Sequence, residues 1–385
     1  MPIPYKRNSK QFLLATALIL VMVYLTLRFG NTSKFKYQPV NKTVAERNEE
    51  LSLKLDSLFK RANKYQGFNG SVLIAKHGKL IFRGNYGFAD PIRKIPLTDT
   101  SSFQLASVSK QFTAAAILLL YERGKLSLED KLIDHIPELP YPEITIKHLL
   151  NHTSGLPIYF WYADHAWETD TAPSNDEMIK TMSKTVLPPF FAPGQKFEYS
   201  NTGYFLLASI VERVSGITFD EFISKNIFEP LGMEHSFVYH YTEEEKPYQL
   251  WGYKKIYRGR YAKIPAFLND GVVGDKNIFS TTEDLFKWLF GLNNGLILKK
   301  ETLSLMFTNG KTNSGMQAPY GMGFRLEEDK EGDKLIYHNG RWNGFMNALK
   351  MYPEKDLWSI ILTNNNFKNL PNMVLKTKQA VTAKT

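Results

Sequence analysis

The sequence predicts an α+β protein. An antiparallel β-sheet flanked by helices is built from both chain ends, a mainly α-helical region is inserted between the strands, and a transmembrane or signal helix stands at the N-terminus. Three observations carry this. Segments of strand composition occur near both ends: Ser71–Lys76 and Lys79–Tyr86 early, then Lys334–His338, Gly344–Tyr352 and Leu357–Thr363 late. Residues 107–240 between them follow helical spacing broken by loops. Strands collected at the two ends of a chain pair most simply in one sheet, with the intervening helices packed beside it.

Composition supports a folded chain of this kind. Of 385 residues, 43% are hydrophobic and 14% aromatic, enough apolar material to form a sizeable core. Cysteine is absent, which excludes disulfide scaffolds, thiolate metal sites and a cysteine nucleophile. The net charge is +10, yet residues 1–45 hold seven basic residues and no acidic one. Taking those seven from the total of 48 leaves 41 basic against 38 acidic residues, so the body is nearly balanced. A nucleic-acid footprint needs a basic stripe on the folded part, and none is evident.

Phe12–Leu27 is free of charge, Gly and Pro, with Lys6, Arg7 and Lys10 before it and Arg28 after it. At 1.5 Å per residue it spans about 24 Å, close to the ~30 Å hydrocarbon core once Lys10 and Arg28 snorkel. Residues 1–30 are read as an uncleaved signal anchor. A cleaved signal peptide is the rival reading, and a buried helix the third. Either of the first two places the body outside the cytoplasm, periplasmic or extracellular. Residues 31–44 read as a tether, 45–370 as the globular domain and 371–385 as a closing helix and tail.

Within the domain, Leu51, Leu55, Leu58 and Phe59 recur at helical spacing, and His77-Gly78 turns a hairpin between the first two strands. Ser107 opens a helical stretch that Gly124 ends, and Asn201–Ser215 is a second helix closed by Gly216. Ser280-Thr281-Thr282-Glu283 reads as a capping box before Leu285–Leu289. Pro353–Asp356 turns between the last two strands, and His338-Asn339-Gly340 is expected to end a strand and enter a turn.

Three short motifs carry chemistry. Ser107-Val108-Ser109-Lys110 places a hydroxyl and an amine one helical turn apart, on the same face. A serine hydroxyl needs a neighbouring base, and a lysine becomes one only when burial or nearby positive charge lowers its pKa. Ser-x-x-Lys also occurs at Ser33/Lys36 and Ser57/Lys60, but only Ser107 opens a helix after a strand-to-loop passage. Tyr199-Ser200-Asn201 lies in a loop before a helix. It either aims a phenol and an amide into a cleft or is a packed Tyr with Asn201 capping the helix. His338-Asn339-Gly340 either offers a backbone N–H at a strand edge or is an ordinary corner. The second motif follows the first by 92 positions and the third follows by 139 more.

In this order the motifs resemble the serine β-lactamase and penicillin-binding superfamily, in the branch around class C β-lactamases, D-alanyl-D-alanine carboxypeptidases, D-aminopeptidases and esterases. Phe103–Ser107, Leu149–Leu156, Glu229–Met233, Ser280–Trp288 and Gly344-Phe345 extend the resemblance over about residues 45–365. It implies a serine hydrolase cleaving an amide, a D-residue peptide or an ester through an acyl-enzyme, with no cofactor and no metal. Ser107 would be the nucleophile, Lys110 its base or proton partner and Tyr199 the general base. Asn201, His338, Asn339, Gly340 and Arg341 would bind substrate, with the N–H groups of Ser107 and Arg341 as the oxyanion hole. His338-Asn339-Gly340 replaces the Lys-Thr-Gly of many β-lactamases, so recognition of a β-lactam carboxylate should suffer unless Arg341 turns inward. The alternative is a penicillin-binding sensor or non-hydrolytic module on the same fold. The implied partners are a small-molecule or peptide substrate and, through the N-terminal helix, the membrane. His148 and His152 lie four apart without a suitably spaced third ligand. Tyr159–Tyr162 with Trp167 either wall a cleft or pack over the helices.

Overall fold

The computed structural model describes residues 49–241, 244–257 and 260–383, which belong to one compact unit. Six antiparallel strands make the main sheet: β1 (Gly70–Lys76), β2 (Lys79–Tyr86), β3 (Arg325–Glu328), β4 (Lys334–Trp342), β5 (Phe345–Tyr352) and β6 (Leu357–Thr363), in the spatial order β3-β4-β5-β6-β1-β2. The two chain ends meet where β1 pairs with β6, from Gly70 opposite Thr363 to Lys76 opposite Leu357. Every residue of β6 is buried, as a central strand covered on both faces requires.

Helix α1 (Glu49–Gln66) and a C-terminal helix (Leu370–Thr382) cover the outer face, where Leu55 and Phe59 meet Val72, Ile74, Ile361 and Met373. The expected closing helix is thus part of the core. On the inner face, Phe286 of the helix Thr282–Asn293 packs on Trp358 at a ring separation of 5.8 Å. The long helix α2 (Lys110–Glu122) is buried from Lys110 to Leu120, the all-round apolar character of a core helix. It packs against α3 (Asn201–Ser215), and both lie in the inserted helical region.

Several sequence expectations are refined. The strand expected to stop at His338 runs on to Trp342, because the turn is made by Asn343-Gly344. Both turn residues have positive φ, 43° and 86°, and an Asn-Gly pair adopts this two-residue hairpin turn at low cost. His338-Asn339-Gly340 is therefore mid-strand. The capping residue before the helix at 282 is Thr281, whose hydroxyl accepts the Asp284 N–H at 3.1 Å. Ser280 instead belongs to a short strand, Ile278–Ser280, lying between Phe103–Gln104 and Phe237–Val238. The edge strand β3 had no recognised sequence signal. The anchor expected at 1–30 and the tether at 31–44 lie outside the described residues. Among the described residues, no helix is long and apolar enough to cross a membrane.

Candidate active site

Ser107 lies in a single 3-10 turn, Ala106–Ser109, that feeds directly into α2. The turn is set by Ala106, held at φ 52°, a region that costs a non-glycine residue about 1 kcal/mol or more. Ser109, the second serine of the motif, is structural: its hydroxyl accepts the Ile278 N–H at 3.1 Å. Lys110 is fully buried, and its Nζ lies 3.2 Å from Ser107 Oγ, 2.8 Å from Asn201 Oδ1 and 2.7 Å from the Asp275 carbonyl oxygen. As an ammonium it donates to all three. As a neutral amine it has two N–H donors for Asn201 and Asp275, leaving its lone pair toward the Ser107 hydroxyl. Burial brings its pKa down to about 8; Asp275 pulls it back up and Arg325 pushes it down.

Asn201 is free for this contact because Ser200, not Asn201, caps α3, accepting the Gly203 N–H at 3.4 Å. Tyr199 enters the same hollow. Lys110 Nζ stands 5.1 Å from its ring centre, and the Arg325 guanidinium lies over the ring at the same distance. The phenol oxygen is buried, and the Ser107 hydroxyl lies beside it without closing a well-formed hydrogen bond. Such loose contacts are common before substrate binds. Burial raises the phenol well above its ordinary pKa, and the Ser107 hydroxyl and Arg325 offset this only in part.

Strand β4 forms the opposite wall. Its pairing with β3 ends at Tyr337, and it then runs past the Ser107 turn. The fit is tight: a Cβ on Gly340 would stand 2.0 Å from the Leu105 carbonyl oxygen and 3.2 Å from the Ala106 Cβ. His338 and Trp342 share the face of Gly340. His338 is buried, with Nε2 3.0 Å from Tyr320 Oη and Nδ1 2.7 Å from the Asn339 carbonyl oxygen. Burial, Lys110 and Arg325 take its pKa to about 3, so it is neutral; the Asn339 carbonyl opposes this. Asn339 and Arg341 alternate with these residues and are exposed, so their side chains stand on the other face of the strand. The inward turn considered for the Arg341 side chain is not made, because strand alternation fixes its direction. The structure thus brings together Ser107, Lys110, Tyr199, Asn201 and Gly340, keeps His338 behind them, and leaves Asn339 and Arg341 near the site only through their backbone.

Other residues of the site went unrecognised in the sequence. Arg325 is half-buried over Tyr199, and no carboxylate among the described residues lies within ion-pair distance of it. Behind Lys110, the buried Asp275 carboxylate faces Tyr159 Oη at 3.2 Å and Lys276 Nζ at 3.4 Å, and Lys276 donates to Tyr159 Oη at 2.6 Å. The aromatic run divides by the helical turn. Tyr159 and Tyr162 are core residues, while Phe160 stacks on Trp342 at 5.5 Å and Trp161 is exposed. His148 and His152 do not form a ligand pair. His148 Nδ1 accepts the Thr145 N–H at 3.1 Å, and His152 packs against Tyr199 at 4.3 Å. The carboxylates of Asp329, Glu331 and Asp333 cluster on the outer side, gathered around the Lys378 ammonium.

A serine, a lysine and a tyrosine converging where an antiparallel sheet meets a helical region define a serine hydrolase of the class that includes the penicillin-binding proteins. A family model described as Beta-lactamase matches residues 55–384, and the chain belongs to the β-lactamase family. It is similar to penicillin-binding protein 4* of Bacillus subtilis (strain 168), at 34% identity over 320 residues that cover 80% of this chain and 71% of the relative. Among solved structures it resembles a penicillin binding protein from Bacillus halodurans, with TM-score 0.72, 26% identity, and coverage of 84% of this chain and 98% of that one. It also resembles the octameric penicillin-binding protein homologue from Pyrococcus abyssi, with TM-score 0.73, 27% identity, and coverage of 85% and 76%.

Proposed function

We propose that the protein hydrolyses an amide or peptide bond through an acyl-enzyme on Ser107, on substrates that carry a free carboxylate. The observation that carries this is the buried Lys110 amine, 3.2 Å from the Ser107 hydroxyl with its pKa brought down to about 8. A useful fraction is then neutral at physiological pH and able to take the serine proton as Oγ attacks the carbonyl carbon. The raised pKa of Tyr199 favours a neutral phenol that relays the proton from Lys110 to the leaving nitrogen. Such acid–base help is worth roughly 10²–10⁴-fold. The backbone N–H groups of Ser107 and Arg341 would bind the oxyanion, each worth about 3–4 kcal/mol of barrier. Water then attacks the ester, with the Tyr199/Lys110 pair accepting its proton, and Asn201 orients the substrate amide.

Arg325 supports the carboxylate preference. It is a half-buried cation over the proposed relay Tyr199, where a substrate carboxylate would complete a charge-assisted pair. The stacked Phe160 and Trp342 would offer an apolar wall to a substrate side chain. We also propose that residues 1–30 anchor this domain outside the cytoplasm, on the strength of the apolar run Phe12–Leu27. Recovery of the full chain in the soluble cytosolic fraction overturns that placement.

The function is tested by labelling with a fluorophosphonate and a fluorescent penicillin, followed by turnover of nitrocefin, a D-Ala-D-Ala peptide, a D-amino-acid anilide and a p-nitrophenyl ester. Labelling and turnover should both vanish in Ser107→Ala. Undiminished turnover in that variant removes the proposal, and stoichiometric labelling of the wild type without turnover replaces it with a sensor.

A further inference from the structure

His152 is buried, with 1% of its surface exposed, and carries φ 57°, a left-handed conformation unusual for a residue with a side chain. Its contacts lie on both sides of Tyr199 in the chain. The His152 carbonyl oxygen accepts the Glu198 N–H at 2.9 Å, and its Nδ1 accepts the Ser200 N–H at 3.1 Å. Its ring lies 4.3 Å from the Tyr199 ring, 4.3 Å from Tyr320 and 5.0 Å from Tyr204. One residue therefore holds the backbone before the phenol, the backbone after it, and the face of the phenol itself.

We propose that His152 is the positioning residue of Tyr199, fixing the phenol against Ser107 and Lys110 from behind without touching substrate. The inference rests on the reading of Tyr199 as the proton relay of a Ser107 hydrolase. Because Nδ1 accepts a backbone N–H, the neutral ring carries its proton on Nε2, and that nitrogen is buried without an acceptor. A buried donor left unpaired is unfavourable, since it gives up its hydrogen bonds to water without replacement. Together with the left-handed backbone, this marks a side chain held in place against local cost, as residues at functional sites often are. A charged ring would turn Nδ1 into a donor facing the Ser200 N–H. Burial, and then the neighbouring Lys110, His338 and Arg325, keep it neutral by lowering its pKa well below the ordinary value, and the Ser200 N–H donated to Nδ1 favours the same neutral form.

Two substitutions separate the parts of the device. His152→Asn keeps an oxygen acceptor near the place of Nδ1 and tolerates the left-handed backbone, but loses the ring. His152→Phe keeps a ring and loses the acceptor. The measurement is the rate of Ser107 acylation by a fluorophosphonate, with the melting temperature recorded alongside. His152→Phe should acylate at least about 100-fold more slowly, the scale of a misplacement near 1 Å, and His152→Asn about tenfold more slowly. The same substitutions in a Tyr199→Phe background should cost little further, because the group they position is gone. Should His152→Phe fail to fold, His152→Asn in the two backgrounds carries the test alone. Equal losses in both backgrounds, or wild-type rates in folded variants, overturn the inference. Absence of labelling in the wild type instead overturns the hydrolase reading beneath it.

Discussion

Replacing Lys276 by Met should move the pH dependence of Ser107 acylation upward. The buried Asp275 touches two lysines: its carboxylate faces Lys276 Nζ at 3.4 Å, and its backbone carbonyl accepts from Lys110 Nζ at 2.7 Å. Burial lowers the proton affinity of both amines, while the Asp275 charge raises both. The other titratable groups around Lys110 are Arg325, which lowers it, the neutral His152 and His338, and the Tyr199 and Tyr204 phenols. Methionine keeps the length and apolar stem of Lys276 and removes its charge, leaving Lys110 as the nearest counter-cation of Asp275. A unit charge at ~7 Å and an effective dielectric of ~20 is worth about 2 kcal/mol, or one to two pKa units. Acylation rate should rise with pH as Lys110 loses its proton, with a midpoint near its pKa of about 8. In Lys276→Met that limb should shift upward by at least about one unit, so the rate near pH 7 falls about tenfold or more while the alkaline plateau survives. Rates between pH 6 and 10.5, with melting temperatures as a check on folding, decide it. A limb that stays in place in a folded variant, or moves downward because Asp275 takes up a proton instead, refutes the reasoning.

Three further outcomes follow from the same geometry. Arg325→Gln should raise KM for a peptide with a free C-terminal carboxylate by about 30-fold or more, the scale of truncating one partner of a buried charge pair. It should leave KM for the C-terminally amidated peptide nearly unaffected, and equal KM effects on the two peptides would remove Arg325 from substrate binding. Gly340→Ala should cost about 1–3 kcal/mol of stability in urea denaturation and most of the acylation rate, because its Cβ has only 2.0 Å to the Leu105 carbonyl oxygen; wild-type stability and rate would show that the strand yields freely. His338 should make folding acid-sensitive. Its folded pKa of about 3 lies below the ordinary 6.5, so between these values the unfolded chain binds a proton that the folded chain refuses. Its contribution is complete above pH 6.5 and declines as pH falls, by about 2–3 kcal/mol at pH 4.5. His338→Gln should flatten that slope, and an unchanged slope would contradict the assignment.

Much of this protein was legible in the linear chain because the signals are local. Period-two strands at both ends and the apolar run of α2 follow from side-chain spacing alone, and they placed β1, β2, β6 and the two long helices. The Ser-x-x-Lys and Tyr-x-Asn motifs were visible for the same reason. Other features had no local mark. Arg325 is a single charge in unremarkable surroundings, and nothing near it in sequence tells which aromatic ring it will cover; Lys276 stands next to its partner Asp275, but nothing local tells that the pair will be buried behind Lys110. His338-Asn339-Gly340 reads as a corner from its own residues, and only the pairing of β4 with β5 puts the turn three residues on, at Asn343-Gly344. What spacing settled was most of the long elements, though not β3, and the positions of the hydroxyl, amine and phenol along the chain. Folding settled that these groups share one hollow, that Ser200 rather than Asn201 caps α3, and that Asn339 and Arg341 turn their side chains away. The reason is physical: a lysine becomes a base, and a histidine stays neutral, through desolvation and through charges brought in from other parts of the chain, as Arg325 is to Lys110 and Lys110 to His338. Those energies exist only once the chain has closed around them.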